Sequence, residues 1–314
     1  MPQKIAVITG PTATGKTKLG VLLSRHLGGE VVSADSMQVY RGMDIGTAKP
    51  TPAETEGVPH HMIDVADPAE RYSVSRYVEE AARCCQDIIA RGRLPILVGG
   101  TGLYIDSLIS GRSFAGGDGD EAARRELGER YDEIGGEAML WELAQFDPER
   151  AAKLSPADKK RIVRAWEVWL CTGKTITAHD RETRLLPPRY DAAVIALTFE
   201  NRADLYARID ARVDEMVRQG LEAEVEELLR GGLSQQSTAM QAIGYKEFAA
   251  ALRGELTPAE AAETVKRESR RYAKRQLTWL RAKPELQWIR WGSTPDFDFA
   301  LQVSTDFLSS RGIK

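Results

Sequence analysis

The apolar run "IAVIT", Ile5 to Thr9, leads directly into "GPTATGKT", Gly10 to Thr17, which matches G-x-x-x-x-G-K-[ST]. A loop of this kind needs a strand end before it and a helix start behind it, so the chain is committed early to an α/β layer fold. Gly10 and Gly15 allow the backbone to turn its N–H groups inward, and the helix starting near Lys16 adds its positive end. Lys16 supplies a mobile cation, and the Thr17 hydroxyl is the expected Mg²⁺ ligand. The pattern says that a phosphate chain is held; its electrostatics do not say whose.

Five further apolar or β-branched runs read as strands: "EVVSAD", "PHHMIDV", "RLPILVGG", "DAAVIALTF" and "LQWIRW". Strands alternating with helical patterns predict a P-loop-type, mainly parallel sheet flanked by helices. Between "FAGGDGDE", which starts at Phe114, and "RLLPPRY", which starts at Arg184, the pattern changes to charged, helix-period segments without a convincing strand. This predicts a smaller all-helical insertion domain over 114–184 in a catalytic core made of 1–113 and 185–314. After the strand "AAVIALTF" a long helical tail is expected from Arg202 to Lys283.

Two absences narrow the chemistry of the loop. The best central strand, "LPILVGG", ends in Gly99 and Gly100 rather than in the Asp that organises magnesium in most nucleotide hydrolases. No N-K-x-D-like base-reading motif is visible either. A non-nucleotide diphosphate is therefore as acceptable to the loop as a nucleotide. Beyond the second strand, "VVSADSMQVY" puts Asp35 on the sheet edge where ligands of open α/β folds bind. A carboxylate there can serve as a base, or it can simply cap the following turn.

The 43 basic and 46 acidic side chains nearly cancel, so any nucleic-acid surface must come from local clustering. The segment "VKRESRRYAKRQLTWLRAK" is such a cluster. On a helix, Arg267, Arg270, Arg271, Lys274 and Arg281 form one stripe, while Val265, Tyr272, Leu277 and Leu280 are offered to a core. "KKRIVRAWEVW" repeats this logic, with Lys159, Lys160, Arg161 and Arg164 outward and Ile162, Val163, Trp166 and Trp169 inward. Cys84, Cys85 and Cys171 have neither disulfide nor zinc spacing and read as reduced, buried thiols. His60 and His61 lack further ligands nearby and read as packed or hydrogen-bonded side chains. No run approaches the ~18 apolar residues of a membrane span, and with no leader-like pattern at the start a cytoplasmic location is expected.

"GPTATGKT", "SADSMQVYRGMDIGTAKP", "PHHMIDV", "LVGGTGLYI", "QAIGYKE" and "RYAKRQLTWLR" occur in this order. Together they resemble the tRNA dimethylallyltransferases, or tRNA isopentenyltransferases, from Ile5 to Arg281. With no zinc-finger extension after "LQWIRW", the resemblance is to the bacterial type. It implies transfer of a dimethylallyl group from dimethylallyl diphosphate, with Mg²⁺, to N6 of the adenosine 3′ of a tRNA anticodon. It also implies roles for residues. Gly10, Thr12, Ala13, Thr14, Gly15, Lys16, Thr17 and Arg208 would hold the donor diphosphate, with Arg212 one turn on as the alternative to Arg208. Asp35 would be the base, and Thr101 would help place adenine and donor. Contacts to the anticodon stem-loop are expected from Asp35, Ser36, Met37, Gln38, Thr101, Arg124, Lys159, Lys160, Arg161, Arg164, Gln241, Arg270, Lys274, Arg275 and Arg281. A monomer is expected.

Overall fold

Strand β1 (Gln3–Thr9) is the hub of the molecule, with Ile5, Ala6, Val7 and Ile8 fully buried. The computed structural model describes residues 2–112, 114, 120–283 and 285–313. It contains β2 (Gly29–Ser33), β3 (His60–His61), β4 (Leu94–Gly99), β5 (Tyr190–Phe199) and β6 (Gln287–Trp291) in one sheet of order β3-β2-β4-β1-β5-β6. Every pairing is parallel. A parallel sheet must be covered on both faces, and the continuous apolar character of β1 and β4 meets that demand.

The order of strands positions the site. β2, β4 and β1 are neighbours, so the segments leaving their carboxyl ends, at Ala34, Gly100 and Gly10, emerge side by side at about 4.8 Å strand spacing. The chain moves to the β4 side of β1 and then returns to β5 on its other side. This reversal makes the crevice above β1 and β4 the place where an α/β sheet binds ligands.

Helix α1 (Lys16–Leu27) starts at the loop and packs on the sheet, where Gly20 lies so close to Val98 that an added Cβ would sit 2.8 Å from its Cγ2. Helices α2 (Pro52–Thr55), α3 (Val74–Ala90) and α4 (Gly102–Ser110) complete the first half of this unit. Two compact units divide the chain, 1–109 with 190–314, and 110–189. The second holds α5 (Glu121–Phe146), α6 (Pro148–Ala151), α7 (Lys159–Thr172) and α8 (Ile176–Leu185), with no strand among its described residues. Its core joins Leu127, Met139, Ile162 and Val163, and Trp166 packs against them. The glycine-rich border of the expected insertion, 115–119, lies outside the described residues.

Three expectations are revised. "PHHMIDV" pairs only at His60 and His61, because Met62 (φ 63°) and Asp64 (φ 57°) take left-handed backbone that ends the ladder. The tail from Arg202 is several elements: α9 (Arg202–Arg218), α10 (Leu221–Arg230), α11 (Tyr245–Leu252) and α12 (Pro258–Arg281), broken at Gly220, over 231–244 and at Gly254, with positive φ at Gly220, Gly232, Gly244 and Gly254. After β6, helix α13 (Phe297–Ser310) closes the chain. Cys85 is buried, Cys84 half-buried and Cys171 exposed, and none of the three is in a disulfide.

Candidate active site

The loop after β1 is held from behind by its neighbours. Ala13 adopts φ 65° and Gly15 φ 84°, and a Cβ on Gly15 would sit 2.7 Å from Phe297 Cζ. Left-handed residues of this kind turn successive amides towards one point, which is what an anion requires. The buried Trp291 donates its indole N–H to Thr14 O at 2.9 Å, and the buried Thr14 hydroxyl donates to Pro11 O at 2.8 Å. Thr14 can therefore serve a ligand only through its backbone.

Lys16 Nζ donates to Pro11 O at 2.7 Å. Burial, then the nearby Arg212 charge, pull its pKa down to about 7, with Asp35 opposing. Arg212 is itself lowered by burial, again against the pull of Asp35. Lys16 depressed by burial and by Arg212, and Arg212 depressed by burial and more weakly by Arg208, form a cationic site suited to negative charge. Arg208 and Arg212 divide the loop between them. Arg208 Nε donates to Ala13 O at 3.2 Å, and Arg212 Nη1 donates to Thr12 Oγ1 at 3.5 Å.

Asp35 uses one oxygen locally, as Oδ1 accepts Met37 N–H at 2.8 Å and Gln38 N–H at 3.3 Å. It thus caps the turn, yet Oδ2 accepts nothing among the described residues, so capping and base chemistry are compatible. From β4, Thr101 is the residue before α4, but its hydroxyl does not cap that helix. It accepts the Ser36 N–H at 3.1 Å and so binds the β4 edge to the Asp35 turn.

Several expected base readers are already engaged. Gln38 Nε2 donates to Thr47 O at 3.3 Å and Ala48 O at 3.1 Å, and its Oε1 accepts from Ser33 Oγ at 3.2 Å. Both of its N–H bonds are committed, leaving one acceptor lone pair. Gln241 is exposed and donates to Gln235 O at 2.9 Å, which leaves its oxygen available.

Two site residues on α12 escaped the sequence reading. Tyr272, expected in the core, turns its hydroxyl to Thr101 and Gln276, and burial followed by the Asp35 charge pushes its pKa up to about 12. The buried Gln276 accepts the Thr12 N–H at 3.1 Å and donates to Gly100 O at 2.9 Å. Thr12 N–H is accordingly not part of the amide nest. The only sequence signal for Gln276 was a polar residue on the apolar side of an amphipathic helix.

The basic face of α12 is smaller than its sequence stripe. Arg270 pairs with Asp210 at 2.5 Å, Lys266 with Asp214 at 2.7 Å, and Arg271 with Glu268 at 2.7 Å. Lys274 and Arg275 are exposed, without an ion pair among the described residues, and with Arg271, Thr278 and Trp279 they line an open hollow of about 530 Å³. Arg281 faces a separate hollow of about 310 Å³ with Arg202, Arg290 and Trp288. In the helical unit, Arg124 and Arg164 both hold the buried Glu167, at 2.7 and 2.9 Å, and Lys159 pairs with Asp132 at 2.6 Å. Lys160 and Arg161 stay exposed. His60 and His61 are hydrogen-bonded as expected, to Val58 O and to Glu30, at 2.8 and 2.7 Å. No group of three His, Cys, Asp or Glu suited to a metal exists among the described residues.

The IPP transferase family profile matches residues 38–283, and the isopentenyl transferase profile matches residues 3–67. The chain belongs to the tRNA dimethylallyltransferase family. It is 48% identical over 309 residues to the tRNA dimethylallyltransferase of Geobacillus thermodenitrificans, covering 98% of this chain and 96% of that protein. The Geobacter sulfurreducens tRNA dimethylallyltransferase is 48% identical over 304 residues, covering 97% and 96%. The crystal structure of the full-length tRNA isopentenylpyrophosphate transferase of Bacillus halodurans superimposes with a TM-score of 0.74 at 43% identity, covering 98% of this chain and 96% of that one. A eukaryotic dimethylallyltransferase acting on tRNA gives a TM-score of 0.83 at 30% identity, covering 99% and 81%.

Proposed function

We propose that the protein transfers a dimethylallyl group from dimethylallyl diphosphate to N6 of the adenosine 3′ of the anticodon in tRNA, releasing diphosphate. The observation that carries this reading is the gathering, at three adjacent strand ends, of an amide loop with two enclosed cations, a carboxylate with one unengaged oxygen, and a threonine hydroxyl. Diphosphate departure leaves an allylic cation, so charge grows on the leaving group as the C–O bond breaks. The loop amides of 13–17, Lys16 and the arginine pair act where that charge appears, and so favour the transition state over the bound donor.

The exocyclic amine of adenine is a weak nucleophile because its lone pair is delocalised. Asp35 Oδ2 takes its proton as the N–C bond forms, while Oδ1 stays fixed by Met37 N–H. Thr101 and the Tyr272 hydroxyl border the space between donor and acceptor. The adenine must leave the anticodon-loop stack to reach them, at a cost of a few kcal/mol that is least for a loop base.

Mg²⁺ fits this site through oxygen donors. The Thr17 hydroxyl makes no hydrogen bond among the described residues and is partly accessible, which suits a ligand beside diphosphate oxygens and water. The ion would supply charge neutralisation on the leaving group. Lys274 and Arg275 on α12, and Lys160 and Arg161 on α7, bind the tRNA backbone. The proposed working unit is a monomer. No helix among the described residues is long and apolar enough to cross a membrane, and tRNA as substrate favours a cytoplasmic location.

Nucleoside mass spectrometry tests the reading. Pure protein incubated with unmodified tRNA, dimethylallyl diphosphate and Mg²⁺ should yield prenylated adenosine. ATP turnover into a phosphorylated product, with no prenylated nucleoside, would instead favour a small-molecule kinase using the same loop.

A further inference from the structure

On α12, Gln276 is hydrogen-bonded to both loops of the site. Its oxygen accepts from Thr12 N–H at 3.1 Å, in the donor loop. Its nitrogen donates to Gly100 O at 2.9 Å, immediately before Thr101. A backbone N–H on one side and a backbone carbonyl on the other fix which end of the amide is oxygen. The side chain is 6% exposed, and the glycine beside it leaves no spare room. A Cβ on Gly100 would lie 2.2 Å from Gln276 Nε2 and 3.4 Å from Gly10 O. One turn earlier on the same helix, Tyr272 reaches Thr101 and Gln276. Further along the exposed side stand Lys274 and Arg275.

We propose that Gln276 is a positioning residue for the transfer reaction: its amide sets the separation between the donor loop and the Thr101 loop, and anchors both to the helix whose outer face carries Lys274 and Arg275. No other side chain type fits as well. Leu or Met would leave a buried N–H and C=O unpaired, while Glu would set a negative charge against Gly100 O beside an anion site. Asn is one methylene short of spanning both partners. Since near-attack geometry tolerates little displacement, a shift of about 1 Å between donor and acceptor loops reads out chiefly in kcat. The proposal rests on the prenyl-transfer reading above.

A double-mutant cycle between Gln276→Ala and Gly100→Ala tests it, with wild-type prenylation of tRNA in the same assay as the control. Failure of the wild type would remove the prenyl-transfer reading itself; the cycle addresses Gln276 alone. Each single variant should lower kcat by roughly 30-fold or more, with KM for tRNA within about twofold of wild type. In the Gln276→Ala background the methyl group added at position 100 finds space, so adding Gly100→Ala should cost less than about threefold. Independent, multiplying losses, or single variants with kcat within about threefold of wild type, would overturn the proposal. Gln276→Glu keeps the size and the acceptor for Thr12 N–H, and covers the case in which Gln276→Ala fails to fold. It should show the same kcat loss with unchanged tRNA KM, and a near-normal kcat would refute the assignment.

Discussion

The Thr101 hydroxyl accepts the Ser36 backbone N–H at 3.1 Å across 65 residues of sequence, tying the end of β4 to the turn that begins at Asp35. The bond makes the position of the carboxylate depend on a side chain from another strand. Thr101→Ala leaves that N–H without its partner, a change of about 1 kcal/mol in a typical case, and should lower kcat roughly tenfold. Thr101→Ser keeps the hydroxyl and should retain most of the rate. Steady-state prenyl transfer by the two variants checks this.

Asp35→Asn keeps an oxygen for Met37 N–H, so the turn should persist. What it loses is the base. Prenyl transfer should drop by about 10²–10⁴-fold while the dissociation constant for dimethylallyl diphosphate stays within a few-fold. Single-turnover kinetics together with donor titration separate the two quantities. An RNA-binding protein that used the loop only as a nucleotide sensor would tolerate this substitution.

The α12 face predicts a split among its cations. Lys274→Ala with Arg275→Ala should raise KM for tRNA and lower the slope of log K against log salt by about 1–2. Arg270, already paired with Asp210 at 2.5 Å, should affect that slope less and thermal stability more. Salt-dependent binding of an anticodon stem-loop distinguishes them. Equal losses with a free adenine nucleotide as acceptor would argue against RNA contact by Lys274 and Arg275.

Glu30 gives the fold an acid-sensitive joint. Its carboxylate is 2% exposed, takes the fork of Arg91 with one contact at 2.9 Å, and is bonded by His61 at 2.7 Å. Hydrogen bonding from Arg91 outweighs burial and holds its pKa down to about 2, against an ordinary value of 4.5. A depressed carboxyl stabilises fully above its unfolded value, so this contribution is present above pH about 4.5 and fades as pH falls towards 2. Glu30→Gln should cost on the order of 2–3 kcal/mol at pH 7. In melting curves between pH 2 and 6, the gap between wild type and variant should close at the acid end.

How far the sequence led can be read from individual residues. The strands were legible because parallel β-strands bury both faces, and the loop from Gly10 to Thr17 was legible because its chemistry needs fixed spacing. The rule that strand carboxyl ends carry ligands singled out the position of Asp35, while its role as base and the role of Thr101 came only from the family resemblance. Gln276 was not legible, since a buried amide tying Thr12 to Gly100 depends on contacts 264 and 176 residues away. The overcount of free cations has the same origin. Helical spacing groups Arg270 with Lys274, but only the packing of α9 against α12 reveals Asp210 beside Arg270.

The central claim is that the Gly10–Thr17 loop holds a leaving diphosphate next to Asp35. A crystal structure with a dimethylallyl diphosphate analogue that cannot ionise tests it most directly. The diphosphate should lie on the loop amides beside Lys16, with the allylic carbon directed towards Asp35 Oδ2 and Thr101. An analogue seated away from Lys16, or with its allyl group turned from Asp35, would contradict the account.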